Sequence, residues 1–208
     1  MKSEEPAGMR RLMHWKVNQT DREVSAGIIE GCRQGDRAAF HALYLAYKDK
    51  VYSISLYFFH GDSIAASDAT QQVFLKLITG IGRFQGGSEF STWLYRMVVN
   101  TCLDNAKAGK RREQFMDDAA LARVAAPESA DENLARDEVT VKVQAALSSL
   151  PPKLRLPVLL RYFEDLSYGE MAEALNCSMG TVASRLHQGH KLLAEKLAKL
   201  GGAVTGGR

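Results

Sequence analysis

The segment SYGEMAEALNCSMGTVASRLHQGHKLL, residues 167–193, constrains the fold more than any other part of the chain. It opens with a capping-box pattern, in which Ser167 and Glu170 satisfy each other's backbone groups at the start of a helix. A short helix, the tight turn NCSMG and a second helix follow, and these are the parts of a helix-turn-helix. Val182 and Leu186 are four residues apart, so we expect them to face a core together. The segment therefore predicts two packed helices with one polar face turned outward.

The second helix of this segment carries a polar stripe opposite its apolar residues. The side chains on the outward face that can donate to base edges or phosphates are Thr181, Ser184, Arg185 and Gln188. The second helix of a helix-turn-helix enters the major groove of DNA, where arginine pairs with guanine and glutamine with adenine. His190 and Lys191 lie further along and suit contact with phosphates. An ordinary helical hairpin with a solvated polar face is the alternative interpretation.

Helical patterns extend over most of the remaining chain, and strand signals are nearly absent. The stretch TDRE, residues 20–23, is a second capping-box pattern, and Asp36 can cap another helix after the break at Gly35. Further helical repeats of apolar residues begin near Ser63 and near Phe90. These signals predict an all-α protein.

The stretch RFQGGSEFSTWLYRMVVN, residues 83–100, allows two interpretations. After the Gly-Gly turn, apolar residues recur at helical spacing, which predicts core packing for most of this set: Trp93, Leu94, Met97 and Val98. Trp93 is ambiguous, because an indole can pack inside while its edge touches a ligand. The stretch is therefore either core with a loop in front of it or a surface on which a flat group such as an unstacked base rests.

Charge is distributed in three blocks. Residues 1–112 hold 16 Lys and Arg against 11 Asp and Glu, residues 113–138 hold 2 against 8, and residues 139–208 hold 9 against 5. The order basic, acidic, basic favours two modules that face a polyanion, joined by a segment that does not.

Several classes of protein do not fit the sequence. No apolar run reaches the roughly 18–20 residues of a membrane span, and the first residues do not match a signal peptide. The cysteines, Cys32, Cys102 and Cys177, match neither a disulfide framework nor a zinc site, which indicates a reducing cytoplasm. For Cys102 and Cys177 we expect buried structural thiols, and redox-sensitive thiols are the alternative. Phosphate-loop, zinc-protease and nucleophile-elbow motifs are absent, and the five histidines form no ligand pattern. We expect no enzyme, no metal and no other cofactor.

Together the two modules resemble the extracytoplasmic-function (ECF) class of bacterial RNA polymerase sigma factors. The blocks ASDATQQVFLKL and FQGGSEFSTWLYRMVVNTCLD in the first module, and LSSLPPKLRLPVLLRYFEDLSYGEMAEALNCSMGTVASRL in the second, are similar to successive blocks of that family. The resemblance implies two small helical domains, a sigma region-two bundle over residues 21–112 and a region-four helix-turn-helix over 138–200. A flexible acidic linker would cover 113–137, with an N-terminal extension over 1–20 and a flexible tail over 201–208.

The resemblance also implies which residues of the first domain bind the −10 promoter element. Phe84 and Asn100 would line a pocket for a flipped base, with Trp93 and Arg96 beside them. Arg96 would bind phosphates, together with a basic cluster that follows it in the sequence: Lys107, Lys110, Arg111 and Arg112.

A third surface follows from the segment AASDATQQVF, which is similar to the helix that docks on the coiled coil of the polymerase's largest subunit. The polar contacts would come from Asp68, Gln71 and Gln72. The residues expected to pack inward are Ala66, Val73 and Phe74.

In the second domain, the resemblance assigns Thr181, Ser184, Arg185 and Gln188 to the −35 promoter element, with His190 and Lys191 on phosphates. Asn176 stands where the turn of a helix-turn-helix often has glycine.

The function implied by the resemblance is that of a non-catalytic subunit for transcription initiation, which recognises the −35 and −10 elements and promotes DNA melting. Its partners would be core RNA polymerase, promoter DNA and an anti-sigma factor, without membrane insertion of its own. The alternative is a free-standing helix-turn-helix regulator that binds its operator without polymerase.

Overall fold

A computed structural model of the protein describes residues 26–117 and 138–202, with side chains described for 26–111 and 141–199. These two parts contain eight helices and no strand, which confirms the all-α prediction. In chain order the helices are α1 (Ala26–Arg33), α2 (Arg37–Phe58), α3 (Ser63–Gly80), α4 (Phe90–Asp117), α5 (Glu138–Ser148), α6 (Pro152–Phe163), α7 (Tyr168–Ala174) and α8 (Met179–Gly202).

Three of the predicted features lie wholly or mostly outside these parts: the capping box at residues 20–23, the N-terminal extension 1–20 and the tail 201–208. Of the predicted linker, residues 118–137 also lie outside, whereas 113–117 continue helix α4. In the parts of the chain that the structure describes, no helix combines the length and the apolar character needed to cross a membrane.

Helices α1–α4 form the first bundle, and two aspartates determine where its longer helices begin. Asp36 caps α2 by accepting a hydrogen bond from the amide of Ala38 at 2.8 Å. Asp62 caps α3 by accepting from the amides of Ile64 and Ala65, both at 3.0 Å. Such caps satisfy amides that have no partner within the helix, and each contributes about 1 kcal/mol.

The core of the first bundle comes from one apolar face of each helix. The side chains with no exposed surface include Leu43, Val51, Ile54, Leu77, Leu94 and Val98. Burying a side chain of this size stabilises the fold by roughly 1.5–3 kcal/mol. Of the residues predicted as core around the tryptophan, Leu94 and Val98 are thus fully buried, while Trp93 and Met97 are partly buried against the same core. The prediction of core packing for this set is confirmed.

Helices α5–α8 form the second bundle, which contains the predicted helix-turn-helix in α7 and α8. The capping box is present, with Ser167 Oγ accepting from the Glu170 amide at 3.3 Å and Glu170 Oε2 accepting from the Ser167 amide at 2.7 Å. In the turn, Asn176 adopts the left-handed conformation with φ 48°, which asparagine tolerates better than most residues. Val182 and Leu186 are buried at 0% and 2% exposure, as predicted.

A close approach between α6 and α8 sets the orientation of the second helix of the motif. A Cβ atom at Gly189 would lie 3.0 Å from Val158 Cγ2, closer than ordinary contact allows. Glycine therefore lets α8 lie directly against α6, which leaves the opposite face of α8 outward.

The two bundles pack against each other and share one continuous apolar core. Helix α2 contacts α6, and α4 contacts α7. At the boundary the rings of Tyr57 and Phe163 lie 4.8 Å apart between centroids, and the Tyr95 hydroxyl donates to the Glu164 carboxylate. The two predicted helical domains are therefore distinct in their helices but are joined in one body.

Candidate nucleic-acid interfaces

The outward face of α8 carries the residues predicted to read duplex DNA. Ser184 and Gln188 are exposed one turn apart, and Gln188 Nε2 donates to Ser184 Oγ at 3.3 Å. Thr181 is partly buried at the start of the helix, where its amide donates to Ser178 Oγ at 3.2 Å. These contacts are local and exposed, so the side chains remain accessible to DNA.

Arg185, which lies on the same face, is held by a contact that the sequence did not indicate. It is partly buried, and its Nη1 donates to Cys177 Sγ at 3.7 Å. A thiol is a weak acceptor, so this contact orients the guanidinium without competing strongly with a guanine edge. Cys177 comes from the turn between α7 and α8, so the turn positions the arginine.

The two residues predicted for phosphate contact on α8 differ in their surroundings. Lys191 is exposed. The His190 ring is partly buried, with Nε2 3.1 Å from the Tyr162 hydroxyl and ring centroids 5.6 Å apart. His190 therefore also links α8 to α6.

In the first bundle, Phe84 belongs to an aromatic cluster at the start of α4. Its ring is 8% exposed, with its centroid 5.5 Å from that of Phe90 and 5.3 Å from that of Trp93. The backbone leaves the 3₁₀ turn Ile81–Arg83 immediately before it. Phe84 is thus more enclosed than a stacking platform requires, and Trp93 is the more accessible ring of the pair.

Arg33, in α1, anchors Phe84 from the other side and was not predicted as a site residue. Its Nη2 donates to the Phe84 carbonyl, and its guanidinium carbon lies 5.9 Å from the centre of the Phe84 ring. A second contact, to Glu30 Oε2 at 3.3 Å, lies within α1. Arg33 and Phe84 are 51 residues apart in the sequence, so helical periodicity does not predict their contact.

The predicted residues on α4 lie in one stripe along the helix. Trp93, Arg96 and Asn100 are spaced three and four residues apart, which places them on the same face, and the last two are exposed. From Trp93 to Asn100 the helix rises by about 10 Å. The structure therefore brings all four residues predicted for the −10 element, including Phe84 beside Trp93, to one side of the bundle.

The same stripe continues into the basic cluster. Lys107, Lys110 and Arg111 are exposed, and Lys107 Nζ lies 3.8 Å from Asp104 Oδ1. Arg112 belongs to α4, but its side chain lies outside the described ones. Solvent-exposed cations in such a row attract a phosphate backbone without fixing its sequence.

Helix α3 presents the third predicted surface. Asp68, Gln71 and Gln72 are exposed, whereas Ala66, Val73 and Phe74 are buried at 0–8% exposure, as predicted for the inward face.

Two apolar residues flank these polar side chains on the outward face of α3. Ile64 is 69% exposed and Leu75 is 63% exposed. Ile64 lies four residues before Asp68, and Leu75 lies four residues after Gln71. These four residues therefore lie in one stripe along α3. Large apolar side chains beside polar ones are typical of a protein-binding surface, and the sequence pattern indicated the polar members alone.

Charged clusters suited to metal binding are absent from residues 26–117 and 138–202, where no group of three or more His, Cys, Asp or Glu side chains converges. The thiols of Cys32 and Cys102 are buried, and burial raises the pKa of Cys102 to about 12. The prediction of a buried thiol is confirmed for Cys102 and wrong for Cys177, which is partly exposed.

Family models match both bundles. The model described as Sigma-70 region 2 matches residues 43–112, and the model described as Sigma-70, region 4 matches residues 140–193. The chain therefore belongs to the sigma-70 family of RNA polymerase sigma factors.

Curated relatives place the chain in one class of that family. It is 34% identical over 189 residues to RNA polymerase sigma-H factor of Pseudomonas aeruginosa, covering 86% of this chain and 96% of the relative. It is 33% identical over 185 residues to the ECF RNA polymerase sigma-E factor of Escherichia coli K12, covering 83% and 94%. The ECF class suggested by the sequence is confirmed, and the free-standing regulator is not favoured.

Solved structures agree with the fold. The sigma factor RpoE from Bartonella quintana, solved with the anti-sigma factor NepR, aligns with a TM-score of 0.62 at 21% identity, covering 76% of this chain and 96% of that one. CnrH, solved with the cytosolic domain of CnrY, aligns with a TM-score of 0.60 at 18% identity, covering 86% and 97%. At these identities the likeness establishes the two-bundle architecture.

Proposed function

We propose that this ECF sigma factor binds core RNA polymerase and reads a promoter at two places in two different ways, as duplex through α8 and as unpaired bases through α4. The observation that carries the proposal is the stripe on α4, where Trp93 of the aromatic cluster, the exposed Asn100 amide and a row of cations follow one another on one helix face. Duplex binding needs no such aromatic cluster, whereas capture of unpaired bases does.

At the −35 element, α8 would lie in the major groove. Arg185 would leave Cys177 and pair with a guanine through two parallel hydrogen bonds, and Gln188 would pair with an adenine. Thr181 and Ser184 would donate to nearby base edges or phosphates. Lys191, together with His190, would hold the backbone that fixes the register of the helix.

At the −10 element, a base would leave the stack and rest beside Trp93, with Phe84 as the floor of the pocket. Extruding a base costs a few kcal/mol, and stacking on an aromatic ring returns roughly 1–3 kcal/mol. Arg33 supports this floor because it holds the Phe84 carbonyl and covers the ring. The rest of the compensation would come from edge hydrogen bonds to the Asn100 amide.

Phosphates of the same unpaired strand would follow the cation row on α4. Arg96 lies beside the proposed pocket, and the later cations extend away from it: Lys107, Lys110, Arg111 and Arg112. Melting then needs no covalent chemistry, because binding to the unpaired strand shifts the equilibrium between closed and open DNA. The chain has no catalytic role in this scheme and would act in the cytoplasm, where polymerase and promoter are found.

The exposed face of α3 would be the polymerase contact. Its polar residues Asp68, Gln71 and Gln72 supply directional hydrogen bonds, while Ile64 and Leu75 supply apolar area at both ends of the face. Of the structural relatives, RpoE was solved with the anti-sigma factor NepR, and CnrH was solved with the cytosolic domain of CnrY. We include an anti-sigma factor among this chain's partners, as a competitor of core polymerase.

Promoter-dependent transcription with core polymerase tests the proposal. We expect the purified chain and core enzyme together to produce transcripts with one defined 5′ end from a cognate promoter, and core enzyme alone to produce none. Tight binding to an operator without polymerase, together with no transcript from any candidate promoter, would instead support the regulator.

A further inference from the structure

Arg33 connects α1 to the loop that carries Phe84, and it does so through both the backbone and the ring. Its Nη2 donates to the Phe84 carbonyl, and its guanidinium carbon lies 5.9 Å from the centre of the ring. The charged hydrogen bond fixes where the backbone lies, whereas a cation over an aromatic face fixes how the ring is tilted. The two contacts together therefore define the position of the Phe84 ring from the side of α1.

Few other contacts hold the backbone of this loop. The Phe84 amide donates to the Ile81 carbonyl at 3.1 Å, within the same short turn. Residues 85–88 make no hydrogen bond to any other residue that the structure describes. A Cβ atom would have no neighbour within 4 Å at three glycines of this segment: Gly82, Gly86 and Gly87. The loop is thus open before and after Phe84, and Arg33 ties its backbone to a helix of the bundle.

A groove lies beside Arg33, so the Phe84 ring would have room to move if the arginine were lost. The groove has a volume of about 580 Å³, and its walls come from α1, the start of α2, the end of α3 and the turn that follows α3. Arg33 lines this groove and also contacts the Phe84 ring. Protein interiors are close-packed, so a buried ring seldom has such space near it. Arg33 therefore separates the floor of the proposed base pocket from open space.

The guanidinium of Arg33 is itself oriented by the surface of α1. Its Nη1 donates to Glu30 Oε2 at 3.3 Å, and Glu30 Oε1 accepts from Gln34 Nε2 at 3.2 Å. The Arg33 and Glu30 side chains are 34% and 54% exposed, and ion pairs this exposed contribute little to the stability of a fold. Replacement of Arg33 should therefore release the ring without unfolding the bundle.

We propose that Arg33 is a positioning residue for base selection, which acts through Phe84 to set the distance between the floor of the pocket and the Asn100 amide. This inference rests on the function proposed above. Hydrogen bonds to a base edge weaken steeply with distance and angle, so a floor that moves by about 1 Å disrupts them while stacking survives. Stacking accepts any base, whereas edge hydrogen bonds distinguish one base from another. Loss of Arg33 would therefore reduce the preference for one base more than it reduces total affinity.

Three variants separate this role from a general effect of charge. Arg33→Met removes the donors and the charge and keeps an unbranched apolar stem, whereas Arg33→Lys keeps the charge and a donor. Arg37→Met is the matched control, because it removes one positive charge from the same groove. Arg37 is exposed and has no hydrogen bond or ion pair with the other described residues. Urea unfolding should show that all three variants are close to the wild type in stability.

The first readout needs neither polymerase nor DNA. The ring centroids of Trp93 and Phe84 lie 5.3 Å apart, so Trp93 fluorescence reports on the position of the Phe84 ring. The chain has two tryptophans, and a Trp15→Phe background leaves Trp93 as the sole emitter. We expect acrylamide to quench Trp93 more strongly in Arg33→Met than in the wild type, Arg33→Lys or Arg37→Met. Equal quenching in all four proteins would overturn the positioning role.

The second readout measures base preference in the holoenzyme. The ligands are single strands that differ only at the position of the extruded base, which is each of the four bases in turn or an abasic sugar. The base that the wild type binds most tightly is taken as cognate. One edge hydrogen bond corresponds to roughly 2–12-fold in affinity, so we expect Arg33→Met to reduce the preference for the cognate base by about that factor. Its affinity for the abasic strand should stay close to that of the wild type.

The variants also determine which outcomes contradict the inference. Arg33→Lys should keep most of the wild-type preference, and Arg37→Met should leave the preference unchanged. A preference that Arg33→Met retains, or that Arg37→Met loses to the same extent, would overturn the role of Arg33 alone. A wild type that binds all of the strands equally would overturn the proposed capture of a base, and base selection by Arg33 with it.

Discussion

The two proposed DNA-reading surfaces differ in how accessible their side chains are in the free chain. On α8 the polar side chains are already outward, and their neighbours are other exposed polar groups or a weakly bonding thiol. On the first bundle, Phe84 is packed under Phe90 and Trp93 and held by Arg33. Duplex DNA presents its base edges in an accessible groove, so a rigid polar face suffices to read it. An unpaired base needs an apolar floor, and such a floor must be packed well to keep its shape.

The first prediction concerns the stability of the fold, and its expected effect is the largest. Phe84→Ala removes a ring that is only 8% exposed, so we expect a decrease of roughly 3–5 kcal/mol in the free energy of unfolding. Because the ring is buried, we do not expect this variant to leave the stability of the fold unchanged. Urea denaturation checks the value. Phe84→Leu, which retains most of the apolar volume, separates the effect on stacking from the effect on folding.

The second prediction addresses α8. Arg185→Ala removes the guanidinium proposed to pair with guanine, so we expect duplex affinity of the holoenzyme to fall by about 1–3 kcal/mol, or roughly 5–150-fold. No comparable decrease in stability accompanies it, because the outward face of α8 contributes little to the core. Arg185→Lys is the control, since it keeps the charge and lacks the bidentate geometry. Binding as tight as wild type for both variants would contradict the proposed role.

A third, smaller effect is expected on the cation row. Each phosphate of single-stranded DNA that a lysine neutralises adds about 0.7 to the steepness of log affinity against log salt. We therefore expect Lys107→Ala and Lys110→Ala each to make this dependence shallower by about that amount, measured by titrating fork-junction DNA at several salt concentrations. Lys153→Ala, also exposed but on α6, should leave the slope unchanged.

The fourth prediction compares a thiol from each bundle. Burial raises the pKa of Cys102 to about 12, so at pH 8 we expect iodoacetamide to alkylate Cys177 in the native chain and to spare Cys102. Peptide mass spectrometry distinguishes the two. Modification of Cys177 should weaken duplex binding a few-fold because it displaces Arg185, without altering binding to unpaired DNA. Rapid labelling of Cys102 under native conditions would show that the core of the first bundle opens.

The raised pKa of Cys102 also determines the direction in which the stability of the fold changes with pH. A thiol whose pKa is higher when folded than when unfolded holds its proton longer in the folded state. Cys102 therefore contributes full stability below its unfolded pKa of about 8.5, and that contribution declines as the pH rises above it. Cys102→Ala should flatten this decline in urea unfolding measured from pH 8 to 10.

Much of the fold was predictable because its signals are local. The helix-turn-helix followed from a capping box and from Val182 and Leu186 four residues apart, and each of these features is present. The inward residues of α3, Ala66, Val73 and Phe74, were expected from the family resemblance, and all three are buried. Three of the residues predicted for the −10 element, Trp93, Arg96 and Asn100, share one face because α4 is continuous there.

What the sequence could not predict depends on contacts between distant parts of the chain. The position of Phe84 depends on Arg33, and the packing of the two bundles depends on Arg155 reaching Phe58, 97 residues away. Periodicity reports which face of a helix is apolar and says nothing about which other helix covers it. The apolar ends of the α3 surface, Ile64 and Leu75, were missed for a related reason, since an exposed apolar residue and a buried one look alike in sequence.

The most direct measurement of the central claim, that one chain reads duplex and unpaired DNA through separate surfaces, uses the holoenzyme with two separate oligonucleotides. One is a duplex with the −35 element, and the other is a single strand with the −10 element. We expect Arg185→Ala to weaken binding to the duplex alone and Asn100→Ala to weaken binding to the single strand alone. If both variants weakened binding to the same oligonucleotide, or if neither weakened binding to any, the claim would be contradicted.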